Sequence, residues 1–176
     1  MRKIAVVIAV IGLAVAVYYG TRDRTAKPTR QPDPGSSASQ APALTVVDLS
    51  GKKIDTSSYA GEVVLINFWA AWCTPCAEEI PQLVALQDKY RAQGFQVIGF
   101  SMEDRDSALR DFYRNYKMNY PVAVGSAKIA ESYGGILGLP TTFLIGRDGR
   151  IRAKYPGLAD FASLEQEIIA LLRTNQ

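Results

Sequence analysis

Val63-Val64-Leu65-Ile66-Asn67-Phe68-Trp69-Ala70-Ala71-Trp72-Cys73-Thr74-Pro75-Cys76 runs from an uncharged, largely apolar stretch into a pair of cysteines. Val63 to Ala70 has the composition of a strand buried on both faces. From Pro75 to about Gln93 the spacing turns helical, with Ile80, Leu83, Val84 and Leu86 apolar, and Gly94 ends it. The cysteines therefore stand where a central strand passes into a helix. Free N–H groups and the macrodipole at a helix N-terminus stabilise a thiolate, which makes Cys73 the expected attacking thiol. Pro75 suits the first turn, where its missing N–H needs no partner. Cys76 follows one turn later on the same face, within disulfide reach and deeper, as the expected resolving thiol. A purely structural crosslink is the rival reading, but a bridge that closes almost no loop adds little stability. Half of an intermolecular metal site is another.

The chain around this stretch alternates between the two periodicities. Leu44 to Leu49 and Lys52 to Asp55, separated by Ser50-Gly51, read as a short hairpin. Phe95 to Ser101 is a second buried strand, and Pro121 to Val124 a short one. A helix near Asp106 to Tyr116 carries Leu109, Phe112, Tyr113 and Tyr116 on one stripe, and Ala127 to Tyr133 is a shorter helix stopped by Gly134-Gly135. Thr141 to Ile145 and Ile151 to Tyr155 flank Asp148-Gly149, a hairpin turn signal. Phe161 to Leu172 has the apolar spacing of a terminal helix lying on a sheet. The expected fold class is α/β, a central mixed sheet with helices on both faces, formed by residues 44–176.

Ahead of this domain lie two segments of different character. Ile4 to Thr21 carries no charge, and as a helix its 18 residues would span about 27 Å, near the thickness of a bilayer's hydrocarbon. Residues 1–21 are expected to be a membrane anchor, with Tyr18 and Tyr19 at the boundary. A cleaved signal peptide ending near Ala14-Val15-Ala16 is the alternative, disfavoured because the apolar run continues past it. Residues 22–43, rich in Pro, Ser, Ala, Gln and Thr, read as a flexible linker. Basic residues flank the apolar run on both sides, so the positive-inside count does not favour export of the domain.

Charge and composition exclude whole classes of function. Residues 1–43 carry six Lys and Arg against two Asp, a balance of +4, so the chain's net +3 leaves −1 for residues 44–176. A nucleic-acid partner loses its main electrostatic support. With no histidine and two cysteines in 176 residues, an ordinary zinc site and any imidazole-dependent triad are excluded. No metal and no organic cofactor is expected.

Asn67 to Cys76 resembles the active-site stretch of the thioredoxin superfamily, in particular its membrane-tethered TlpA/ResA-like branch. Gly138-Leu139-Pro140-Thr141-Thr142-Phe143-Leu144-Ile145 is similar to that branch's cis-proline loop and the strand after it. The helix and strand at about 105–124 resemble the segment that separates the branch from plain thioredoxin. The resemblance implies a thioredoxin-like fold over residues 44–176 and a redox-active disulfide between Cys73 and Cys76. It implies a cis peptide before Pro140, against the general trans preference of X-Pro bonds. It also implies that Leu139 offers its backbone to an extended substrate segment. Plain thioredoxin has a buried aspartate where this chain has Asn67, so the proton acceptor for Cys76 is sought elsewhere. Glu79, three residues on and on the same helical face, is the candidate, and a glutamate there is typical of ResA-like members. Its rival reading is a surface glutamate favoured by the helix dipole, which is how Glu78 reads.

Trp72, Thr74, Pro75, Leu139 and Pro140 complete the expected substrate-contact set, whereas Trp69 reads as core. Pro81 lies inside the helix and should kink its axis. The resemblance further implies reduction of disulfides outside the cytoplasm, on apocytochrome c or metal-site cysteines, with a membrane dithiol as electron donor. Alternatives are a thiol oxidant or isomerase, a thiol peroxidase, and a copper-binding chaperone using the two thiolates.

Overall fold

The computed structural model describes residues 39–102 and 106–174. The anchor and most of the linker expected from the sequence lie outside them. Among the described residues no helix is long and apolar enough to cross a membrane. The elements follow the order β1 (Thr45–Val47), β2 (Lys53–Asp55), β3 (Val63–Trp69), α1 (Thr74–Tyr90), β4 (Phe95–Ser101), α2 (Asp106–Asn115), β5 (Val122–Val124), α3 (Ala127–Ser132), β6 (Thr141–Ile145), β7 (Ile151–Pro156) and α4 (Phe161–Arg173).

The main sheet has the order β5-β4-β3-β6-β7, with β3, β4 and β5 parallel and β6 and β7 antiparallel to their neighbours. β3 is central and all seven of its residues are buried, as its uncharged composition requires. β7 alternates instead, with Ile151, Ala153 and Tyr155 inward, because one of its faces meets solvent. Both sheet edges are partly covered. Asp48 bridges to Ala123 on β5, and Gln40 bridges to Arg150 just ahead of β7. Such cover blunts edge-to-edge association. The Ile151 N–H also donates to Ser39 O, so the backbone is tied to the domain from Ser39, ahead of Leu44, where the globular pattern of the sequence starts.

Alternation along β3 separates two cores. Val63, Leu65 and Trp69 face one cluster with Ile80 and Leu83 of α1, Leu109 of α2 and Leu164 and Ile168 of α4. Val64, Ile66 and Phe68 face the other, with Ile98, Phe100, Tyr133, Phe143 and Ile54 of the β1–β2 hairpin. Each fully buried Leu, Ile or Phe contributes roughly 1.5–3 kcal/mol by leaving water, so the strand that ends at the cysteines is fixed from both sides. α1 continues through Pro81 and stops at a 3₁₀ turn and Gly94, whose φ of 84° is open to glycine without strain.

Candidate active site

Cys73 has extended backbone, φ −88° and ψ 104°, and is the N-cap of α1. The Cys76 N–H donates to Cys73 Sγ at 3.3 Å, so a sulfur fills the place usually taken by a capping oxygen. The two cysteines are joined in a disulfide with Cα atoms 5.3 Å apart. Cys73 is 5% exposed and Cys76 fully buried, which gives the pair an outer and an inner sulfur. Thr74 and Pro75 are exposed beside them, and Pro75 occupies the first helical turn. Trp69 is wholly buried with its ring tilted against Phe112, while Trp72 is 65% exposed.

The second sequence motif reaches the same end of the sheet through strand register. Phe68 pairs with Thr141 in the antiparallel β3–β6 ladder, so Pro140 comes level with Trp69, a few residues before Cys73. The Leu139–Pro140 peptide is cis. Pro140 is buried and its carbonyl accepts the Gly157 N–H at 2.8 Å, which ties the loop to the turn after β7. Leu139 is half-buried against both cores. The same register brings two exposed apolar side chains to this end, Leu137 ahead of the loop and Leu158 after β7. Neither stood out in the sequence, where a lone leucine in a turn carries no signal.

Beneath the disulfide lies a polar inlay in an apolar core. Glu79 is fully buried, one turn after Cys76 on the inward face of α1, whereas Glu78 points to solvent. The Asn67 side-chain amide donates to Glu79 Oε1 at 2.6 Å and to Thr142 Oγ1 at 3.0 Å. β3 thus holds the carboxyl through Asn67, whose amide is steadied by its direct register partner on β6, Thr142. Burial penalises the charged form and outweighs the Asn67 hydrogen bond, pushing the carboxyl from its ordinary 4.5 up to about 8. Its other oxygen, Oε2, has no partner among the described side chains. A buried group that exchanges a proton near neutral pH, one turn from an inner sulfur, can take the proton a thiol must lose before it attacks. Thr142 was not singled out in the sequence, since Thr141-Thr142 reads there only as β-branched strand formers.

Residues 38–154 match the model of the AhpC/TSA family. Over 128 residues the chain is 36% identical to the thiol-disulfide oxidoreductase ResA of Bacillus thuringiensis subsp. konkukian, covering 72% of this chain and 73% of that protein. The solved structure of a thiol:disulfide interchange protein of the thioredoxin family from Chlorobium tepidum is similar with a TM-score of 0.72 and 26% identity, over 81% of this chain and 97% of that one. A secreted thiol-disulfide isomerase from Corynebacterium glutamicum shares the fold, with a TM-score of 0.76 at 22% identity over 87% of this chain and 96% of the other. With this family match, these relatives and a Cys73–Cys76 pair at the head of α1 in a thioredoxin-like sheet, the chain belongs to the AhpC/TSA family, in its ResA-like branch, and is a thiol-disulfide oxidoreductase.

Proposed function

We propose that the protein reduces disulfides of extracytoplasmic proteins, with Cys73 as the attacking thiol, Cys76 as the resolving thiol and Glu79 as the acceptor of the Cys76 proton. The Cys73 thiolate attacks one sulfur of the substrate disulfide, forming a mixed disulfide and releasing the other substrate sulfur as a thiolate. Glu79 takes the proton of Cys76. The new thiolate attacks Cys73 Sγ, the bond to the substrate breaks, and the substrate leaves with both of its sulfurs reduced. The observation that carries this reading is the wholly buried Glu79, one turn from Cys76 and ionising near 8 because of its burial. A surface glutamate would have no such access to an inner sulfur.

Trp72, Leu137 and Leu158 form an apolar rim around the disulfide end, suited to a partially unfolded or extended partner. Leu139 would pair with that partner through its backbone, while Trp72, Thr74, Pro75 and Pro140 meet it around the bridge. Contact of this kind reads little side-chain sequence, which fits substrates such as apocytochrome c or metal-site cysteines. A membrane dithiol would recharge the pair. Residues 1–21 would hold the domain at the outer face of the membrane, with the following segment giving it reach.

Replacement of Cys76 by Ser tests the scheme. Proteins should remain trapped on Cys73 as mixed disulfides that dithiothreitol releases, and their identity names substrate or donor. Absence of any trapped partner, or undiminished insulin reduction after Cys73→Ala, would sink the proposal. Rapid consumption of hydrogen peroxide by the reduced protein would favour the peroxidase alternative instead. Labelling the thiols of intact cells with an impermeant reagent tests the side of the membrane.

A further inference from the structure

Among the described residues, the buried polar atoms on the α1 face of the sheet that have no hydrogen-bond partner include Asn67 Oδ1, Glu79 Oε2, the Tyr120 hydroxyl and the Trp69 indole nitrogen. Unpaired groups of this kind are rare in folded interiors, and several in one core point to a shared purpose. They also complement one another, because the indole and the phenol offer protons and Oε2 accepts them. Gly99 lets two of the groups approach: a Cβ there would stand 3.0 Å from Trp69 Nε1 and 3.5 Å from the Tyr120 ring. The phenol resists ionisation because of burial first, then because of the charges of Glu79 and Tyr113, so it is electrostatically coupled to both. Beyond it lies a pocket of about 400 Å³ lined by Tyr120, Tyr113, Asp48, Lys52, Arg110 and Asn119 among others, on the flank between the β1–β2 hairpin and α2. That flank belongs to the β4–β5 side of the sheet, away from the Trp72 and Leu137 rim.

We infer that Tyr120 is a positioning residue for the reaction, whose hydroxyl links the unpaired oxygen of Glu79 through buried solvent to this side pocket. The proton taken from Cys76 then leaves through the flank while the substrate still covers the mouth. The inference rests on Glu79 being the proton acceptor. The Cys76 proton moves to Glu79, and the Glu79 proton passes to bridging water. The phenol accepts a proton on one side and releases its own on the other, so it ends unchanged and one proton reaches bulk solvent. The charged and titratable groups that face this route are Cys76 and Glu79 from α1, Arg110, Tyr113 and Arg114 from α2, and Asp48 and Lys52 from the hairpin.

The test uses the full chain, reduced, in a single turnover with a bis-aryl disulfide that frees one coloured thiolate at each step. The first release reports Cys73, the second Cys76. Tyr120→Phe should leave the first release unchanged while slowing the second about threefold to tenfold, and should move its pH midpoint upward. An unaltered second phase and pH midpoint overturn the inference. Tyr120→Phe keeps the packed ring and loses only the hydroxyl's solvent-bridged contact, a modest cost, so the variant should fold. The unmodified protein supplies an independent readout: the second phase should slow about twofold or more in heavy water while the first does not. Equal sensitivity of both phases counts against the route. Glu79→Gln separates the two claims, because a second phase untouched by that change removes the proposed function of Glu79 itself, whereas a slowed one combined with an inert Tyr120→Phe removes only the relay.

Discussion

The two faces of β3 are packed on opposite principles. On one, Phe68 meets Phe100, Tyr133 and Phe143 at ring separations of 5.4–6.0 Å, an aromatic cluster whose charged neighbour, Lys154, keeps its ammonium 5.2 Å from the Phe143 ring centroid. On the other, the same strand presents Asn67 between Leu65 and Trp69, and a carboxyl is buried against it. Adjacent residues of one strand thus serve different ends. The aromatic face holds the sheet together, while the α1 face accepts the cost of burying a titratable group so that a proton can be handled beside the cysteines.

The largest effect that would separate the faces is chemical. Cys73→Ala on the α1 face should lower insulin reduction at least about a thousandfold without altering the fold by circular dichroism, since no second thiol occupies the cap. Phe68→Ala should do the reverse. Emptying the centre of the aromatic cluster should cost about 3–5 kcal/mol in denaturant unfolding, with the pH dependence of the surviving thiol chemistry unchanged. A change in that dependence would show that the two faces are coupled.

Glu79→Gln probes the inlay more finely. The native carboxyl holds its proton up to about 8 and an unfolded one releases it near 4.5, so between these values the folded state binds more protons. Stability should therefore fall as pH rises through that window and be highest below it. Taking ~1.4 kcal/mol per unit and allowing for relaxation, the decline is on the order of 3 kcal/mol, and the Gln variant should lack most of it. A wild-type stability curve that is flat from mildly acidic to mildly basic pH would contradict the assignment. The smallest effect belongs to the rim. Leu137→Ser should weaken protein substrates about twofold to fivefold in KM, with kcat and small-disulfide reduction unchanged.

Much of this division was legible in the sequence. The uncharged run from Val63, Pro75 in the first turn and the Cys73–Cys76 spacing place a cysteine at a helix start through local rules alone, and the structure has Cys73 as the cap. The boundaries of the helices and strands followed from periodicity and from Gly94, Gly134 and Gly149. Glu79 was reached by resemblance as well as by helical position. Neighbouring Glu78 is chemically identical, and one step along a helix separates a buried carboxyl from a solvated one. Thr142 and Tyr120 were not legible, because their roles arise from strand register and from packing across the sheet. Asn67 meets Thr142 over a separation of 75 residues, and nothing in either local pattern announces it. The attachment of Ser39 and Gln40 was hidden for the same reason, since Pro, Ala and Ser neighbours carry no periodicity and their partners lie more than a hundred residues away.

The chemistry proposed for Cys76 depends on the acidity of one carboxyl. Selective ¹³C labelling of glutamate side chains, followed by NMR titration of the oxidised protein with Glu79→Gln used to assign the resonance, measures it directly. The Glu79 signal should titrate near 8, well above the other glutamates. A midpoint at the ordinary carboxylate value would mean that the site beneath the disulfide is solvated, and that the proton of Cys76 leaves by another route.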